Sequence, residues 1–195
     1  MRVMFLGDSI TMYWQNLPEA ENGGEIWDRY YKDIPAGNYG ISGDKTEHIL
    51  WRITEGRNLD GTDPEGIVLL AGINNLYQDD SPEDTAAGIG AIIQVLRKRL
   101  PRSKILLLAV FPSKQAVDDP MREKIKKVNA IIEKLADNRN IFFLDIGHVF
   151  LEKDGSMSKT IMRDYIHLSA RGYVRWAEAM NPHLFELLKH EELKK

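Results

Sequence analysis

A three-layer α/β/α sandwich is the fold class this sequence predicts, and three observations predict it. Short apolar runs recur along the chain; those runs are continuous rather than alternating in polarity; and helical periodicities with their own start signals lie between them. The 195 residues suffice for one domain with a substantial core and are few for two.

The runs fall at 2–6, a weaker one near 36–39, then 67–71 (Ile-Val-Leu-Leu-Ala), 104–110 (Lys-Ile-Leu-Leu-Leu-Ala-Val) and 141–144 (Ile-Phe-Phe-Leu). Continuous runs suit strands buried on both faces of a parallel sheet. Between the second and third runs, Asp44 followed by Glu47 forms a capping-box pattern. Ser81-Pro82 and Asp119-Pro120 each set a cap residue before a first-turn proline. From 82 the apolar positions are Ile89, Ile92, Ile93, Leu96 and Leu100, and from 120 they are Met121, Ile125, Val128, Ile132 and Leu135. A last helix from about Ser169 uses Tyr173, Trp176, Met180, Leu184 and Leu187. Spacings of three and four give each helix one apolar face. Residues 1–190 read as a single catalytic domain, and Glu191 to Lys195 as a charged tail that frays. Right-handed crossovers join the elements, and ligands in such folds bind outside the carboxyl ends of the strands.

Composition removes several functions. The net charge of −3 carries no cationic footprint for nucleic acid. No apolar run approaches the roughly 20 residues that span a bilayer, so no transmembrane segment is expected. The absence of cysteine excludes a disulfide framework, a thiol nucleophile and a zinc–thiolate site. Met1-Arg2 leads straight into the first run with no signal-peptide pattern. A chain that begins at its native terminus is therefore expected in the cytoplasm; one trimmed at this point leaves secretion open.

Four points fall where strand ends should meet. Ser9 follows the first run in Gly7-Asp8-Ser9-Ile10-Thr11. Gly40 follows the second in Asn38-Tyr39-Gly40-Ile41-Ser42-Gly43, and Asn74 follows the third in Ala71-Gly72-Ile73-Asn74-Asn75. Asp164 and His167 lie in Asp164-Tyr165-Ile166-His167-Leu168-Ser169, before the last helix. Acyl transfer needs a hydroxyl, a base to take its proton and donors for the oxyanion, and the set contains all three.

Gly7-Asp8-Ser9, Gly40, Gly72-x-Asn74 and Asp164-x-x-His167, in that order, resemble the four signature blocks of the SGNH (GDSL-type) hydrolases, over essentially the whole chain. Asn38 to Asp44, Leu50-Trp51-Arg52 and Gly72-Ile73-Asn74-Asn75 are similar to the platelet-activating-factor acetylhydrolase Ib catalytic subunits and their bacterial relatives. Gly7 to Thr11 with Trp14 is similar to bacterial carbohydrate acetyl esterases. The resemblance implies a flavodoxin-like sheet of five parallel strands in the order 2-1-3-4-5. It implies Ser9 as nucleophile, His167 as general base and then acid, and Asp164 as the group that orients the imidazole. The backbone N–H groups of Ser9 and Gly40 and the amide of Asn74 form the oxyanion hole. No metal and no organic cofactor is implied; dimers occur among the relatives, so Trp51 or Tyr30-Tyr31 would be interface candidates.

Two positions depart from the commoner pattern. The third block ends Asn74-Asn75 where Asn-Asp is frequent, which the acetylhydrolase-like branch shares. Tyr165 stands where glycine is frequent, either narrowing the pocket mouth or packing on the last helix. Each catalytic point has an isoleucine beside it: Ile10, Ile73 and Ile166. If they converge they make a small apolar acyl pocket that admits acetyl and disfavours long chains by ~1–3 kcal/mol per methylene; otherwise they point into the core. Trp14 is the tryptophan placed to line that site, against a plain packing role, whereas Trp176 fits the core stripe of the last helix.

Blander readings stand beside these. Ser9 alone would be a helix cap, Asp8 a turn-fixing group and Asn74 a turn residue. Asp145 reads as a turn residue, His48, His148, His183 and His190 as surface or packing residues, and Arg122, Lys124, Lys126, Lys127 and Lys134 as a solvated face. The leading function is a cofactor-free serine esterase removing short acyl groups, acetyl first, from a sugar, glycan or lipid-like alcohol. Thioesterase or lysophospholipase chemistry with the same triad is the alternative. A flavodoxin-like phosphate-binding module has no use for Asp164 and His167, and an intact triad argues against a non-catalytic partner-binding subunit.

Overall fold

The structure is a computed structural model that describes residues 1–15 and 23–192, with side chains to 189; residues 193–195 of the expected tail and the side chain of His190 lie outside the described residues. Five parallel strands form one sheet: β1 Val3–Gly7, β2 Ala36–Gly40, β3 Gly66–Leu70, β4 Lys104–Leu108 and β5 Ile141–Leu144. Their order is β2-β1-β3-β4-β5. The inner strands β1 and β3 are buried throughout and β4 nearly so, while the edge strands β2 and β5 are half-buried. Burial on both faces therefore holds for the three inner runs only.

The helices are α1 Ser9–Met12, α2 Gly24–Tyr31, α3 Thr46–Ile53, α4 Ile73–Tyr77, α5 Pro82–Arg99, α6 Pro120–Ile132 and α7 Ala170–Glu192. The chain runs from β1 to β2 in one direction across the sheet and from β3 to β5 in the other. Right-handed crossovers then place α2 on one face and α3, α5 and α6 on the opposite one. Accordingly α3 packs on α5 and α5 on α6, while α2 packs on α7. The expected caps form: Ser81 accepts the Asp84 N–H and Asp119 accepts the Met121 N–H, each before its proline.

The capping box at Asp44 does not form. Helix α3 starts one residue later with Lys45 at the cap. Asp44 instead pairs with Arg52, which is 7% exposed, at 2.7 Å from Nε to Oδ2. Arg52 Nη2 also donates to the carbonyls of Gly7 (3.3 Å) and Tyr39 (3.1 Å), so one guanidinium ties the ends of β1 and β2 to the following loop. Arg122 likewise leaves the expected solvated face: it is 7% exposed and donates to the Ser113 and Lys114 carbonyls at 2.5 and 2.8 Å. Tyr31 is buried, its hydroxyl donating to Asn181 Oδ1 at 2.6 Å, so it offers no interface; Trp51 is 60% exposed.

Register delivers the site. Gly7 lies opposite Gly40 on one side and Leu70 on the other. The segments leaving β1, β2 and β3 therefore emerge together at one edge of the sheet.

Candidate active site

The tight turn after β1 makes Asp8 the cap of α1: Oδ1 accepts the Ile10 N–H at 2.9 Å. Ser9 is thus free of capping duty. Its Oγ lies 3.0 Å from His167 Nε2, across 158 residues of sequence. His167 Nδ1 lies 2.6 Å from Asp164 Oδ2, and Asp164 Oδ1 accepts the backbone N–H groups of Ile166 (3.0 Å) and His167 (2.7 Å). A carboxylate at Nδ1 holds the proton there, leaving Nε2 to accept from the serine hydroxyl. Burial pushes the Asp164 carboxyl up, but the His167 ring, the His167 N–H and the Ile166 N–H outweigh it and hold the group below the usual carboxylate range. The Tyr13 ring packs on the His167 ring at 5.3 Å between centroids, with the Arg163 guanidinium 5.2 Å from the Tyr13 centroid.

The motif glycines have physical reasons. A Cβ on Gly40 would collide with the backbone of Met12, so glycine lets β2 press against α1. Gly72 caps α4 with φ at 118°, and a Cβ there would also meet Thr85 Cγ2 at 2.9 Å. Next to it, Asn74 donates from Nδ2 to the Asp44 carbonyl at 2.8 Å, which leaves its second amide hydrogen. The Ser9 N–H, in the first turn of α1, meets no protein acceptor among the described residues. The Gly40 N–H, by contrast, donates to Asn38 Oδ1 at 2.9 Å. Asn38 in turn donates to the Thr11 and Met12 carbonyls at 2.9 and 3.2 Å, locking β2 to α1.

The expected acyl-pocket walls separate. Ile10 (2% exposed) and Ile73 (3%) spend their side chains in the core, so they offer no wall to a substrate. Ile166 is half-buried and keeps available surface. Trp14 is wholly buried, its ring 4.6 Å from Tyr173 and 4.8 Å from Trp176, so it packs the core and does not line the site. Tyr165 is half-buried and adopts φ 65°, the left-handed backbone that glycine would take freely. Asp145 fixes a turn, accepting the Gly147 N–H at 2.7 Å.

Asp8 is fully buried beside Ser9, and Oδ2 has no hydrogen-bond partner among the described residues. Burial pushes its carboxyl up to about 7, opposed by the Ile10 N–H and assisted by the nearby Asp44. Four residues with a bearing on the site were not assigned one from sequence: Asn38, Arg52, Asn75 and Tyr13. Asn38 and Asn75 lie within the motif segments beside Gly40 and Asn74, and Tyr13 lies one helical turn past Ser9, which was the available signal. Among the described residues no group of three or more His, Asp or Glu could hold a metal ion, and no helix is long and apolar enough to cross a membrane.

Known proteins resemble this chain over most of its length. The family described as GDSL-like lipase/acylhydrolase matches residues 5–175. The human platelet-activating factor acetylhydrolase IB subunit alpha2 is 34% identical over 188 residues, 96% of this chain and 77% of its own. A structure from Streptococcus pneumonia, provisionally described as a platelet activating factor, superposes with TM-score 0.79 at 25% identity over 94% of this chain and 83% of its own. The acetylxylan esterase Axe2 of Geobacillus stearothermophilus shares the fold, with TM-score 0.69 at 19% identity over 96% and 93%.

Proposed function

The chain belongs to the GDSL-like lipase/acylhydrolase family and is a carboxylic ester hydrolase, and on that premise we propose that it removes short acyl groups, acetyl first, from an alcohol through an acyl-enzyme on Ser9. One observation carries the reading: the continuous relay from Ser9 Oγ through the His167 ring to Asp164, at 3.0 and 2.6 Å.

His167 Nε2 takes the hydroxyl proton as Ser9 Oγ attacks the ester carbonyl carbon. The oxyanion that forms meets the Ser9 N–H and the second N–H of Asn74. Gly40 joins them as a donor shared with Asn38 Oδ1. Collapse breaks the bond to the alcohol oxygen, which takes the proton from His167 and leaves. Water then attacks the acyl-Ser9 carbonyl, giving its proton to Nε2, and the carboxylic acid departs as Ser9 recovers its hydroxyl. Asp164 stabilises the imidazolium formed in each half.

The acetyl preference is supported by the acetylhydrolase relatives at 34% identity. The alcohol belongs to the sugar, glycan or lipid-like glycerol class. A homodimer with the exposed Trp51 in its contact is part of the same proposal and is read by sedimentation.

The test is hydrolysis of p-nitrophenyl esters from acetate to decanoate by wild type and Ser9→Ala together. Rates should fall with chain length and vanish in the variant. Hydrolysis that survives Ser9→Ala would remove the nucleophile; equal efficiency on acetate and octanoate would remove the short-acyl preference.

A further inference from the structure

The residue after Asn74 sits in a dense polar environment beside the site. Asn75 is 2% exposed. Its Oδ1 accepts the Thr46 N–H at 2.9 Å, at the start of α3. Its Nδ2 donates to Asp80 Oδ2 (2.9 Å), Thr46 Oγ1 (3.1 Å) and Glu47 Oε2 (3.2 Å). Lys45 Nζ closes the circuit, 2.8 Å from Glu47 Oε1 and 3.0 Å from Asp80 Oδ2. Asn74 meanwhile grips the same segment through the Asp44 carbonyl. The two adjacent asparagines thus clamp residues 44–47, which continue from the Gly40 loop, against the N-terminus of α4.

Resting on the oxyanion role read above for Asn74, we propose that Asn75 is a positioning residue: a neutral bridge between two carboxylates that fixes the Asn74 amide against the loop leaving Gly40. Only an amide of this length does this. It offers an acceptor to the Thr46 N–H and donors to Glu47 and Asp80 from one plane. An ionised aspartate at the same point is acceptor-only and sets a third carboxylate against two others, with Lys45 the cation that faces both. The Asn-Asn ending of this block is therefore built into the surrounding charges. Its loss moves an oxyanion donor without touching Ser9, His167 or Asp164.

The test is the pH profile of kcat for acetyl ester hydrolysis by wild type, Asn75→Asp, Asn75→Leu and the exchange variant Asn75→Asp/Asp80→Asn, with active sites counted by fluorophosphonate labelling. A protonated aspartate can still accept from Thr46 and donate to one carboxylate; an ionised one cannot. Like charges delay that ionisation. Asn75→Asp should therefore retain most activity near the acidic end and lose about 10- to 100-fold in kcat, at little change in KM, as pH rises. Asn75→Leu should lose a similar factor at every pH. The exchange variant restores donors opposite the new carboxylate and should abolish the alkaline decline. A purely structural role would lower the labelled fraction or the melting temperature in proportion and leave the profile per labelled site parallel to wild type. A parallel profile for Asn75→Asp, or wild-type kcat per labelled site in Asn75→Leu, overturns the proposal while Ser9→Ala stays inactive. Wild-type rates in Ser9→Ala overturn the triad reading and this role with it.

Discussion

The Lys114 N–H donates to the Tyr165 carbonyl at 3.0 Å, and both residues hold left-handed backbone, with φ 69° and 65°. The bond joins the loop after β4 to the segment carrying Asp164 and His167. Neither residue is glycine, so each carries the steric cost of that region, ~1–2 kcal/mol in L-residues. Strain of this kind persists where surrounding contacts over-determine it.

Tyr165→Gly should relieve that cost. Glycine's greater freedom in the unfolded chain returns part of it, about 0.5–1 kcal/mol. The expected net is a gain in unfolding free energy of up to about 1 kcal/mol with kcat retained, since the ring's cationic neighbour, Lys159 Nζ at 5.5 Å, lies near the surface. Urea denaturation checks it. A clear loss of stability would mean that the ring's packing outweighs the backbone strain.

Asp8 gives a pH prediction with a definite sign. Its carboxyl titrates near 7 in the folded protein against 3.8 for the free group. Below about pH 4 both states are protonated and Asp8 is neutral to folding. From there to about pH 7 the unfolded chain releases the proton and the folded one keeps it, so stability falls as pH rises. The loss contributed by this group is on the order of a few kcal/mol. Asp8→Asn keeps an oxygen for the Ile10 N–H and cannot ionise. Its unfolding free energy should therefore rise relative to wild type between pH 5 and 8, which melts at each pH would show. An unchanged difference across that range would place the ionisation elsewhere.

Much of this was legible in the sequence because its carriers are local. Continuous apolar runs mark β1, β3 and β4, and Ser81-Pro82 and Asp119-Pro120 mark helix starts whose caps form as read. The approach of His167 to Ser9 spans 158 residues and was readable only through the order of the motif blocks. Where sequence left alternatives open, one cause accounts for it. Sequence adjacency does not say which way a side chain leaves a turn, so for Ile10, Ile73 and Trp14 a wall of the site and a place in the core stood side by side, and burial favours the core. Asp44 carried a cap signal, but a buried guanidinium eight residues on outcompeted it for the carboxylate.

That guanidinium yields a third prediction. Arg52 and Asp44 form a pair with side chains 8% and 10% exposed. Removing one partner of a buried pair strands the other and typically costs about 3–5 kcal/mol. Arg52→Ala should fall in that range, and Asp44→Ala combined with it should cost less than the two separately. Activity per labelled site should also drop in Arg52→Ala, because the Gly7 and Tyr39 carbonyls lose their shared donor beside Ser9 and Gly40. Additive losses in the double variant would show that the ion pair is not the interaction being removed.

The proposed acyl preference would be assigned to a wall by comparing two isoleucines that sequence treated alike. Ile73 is 3% exposed in the core, whereas Ile166 is half-buried next to His167. Ile73→Ala should cost about 2–5 kcal/mol of stability through the cavity it leaves, with the octanoate-to-acetate ratio of kcat/KM unchanged for the folded fraction. Ile166→Ala should barely move the melting temperature and should raise that ratio, by roughly 10-fold if a methylene or two of space opens at the acyl end. Opposite behaviour, with Ile73→Ala changing selectivity and Ile166→Ala changing only stability, would put the acyl chain inside the helix–sheet interface rather than at the His167 rim.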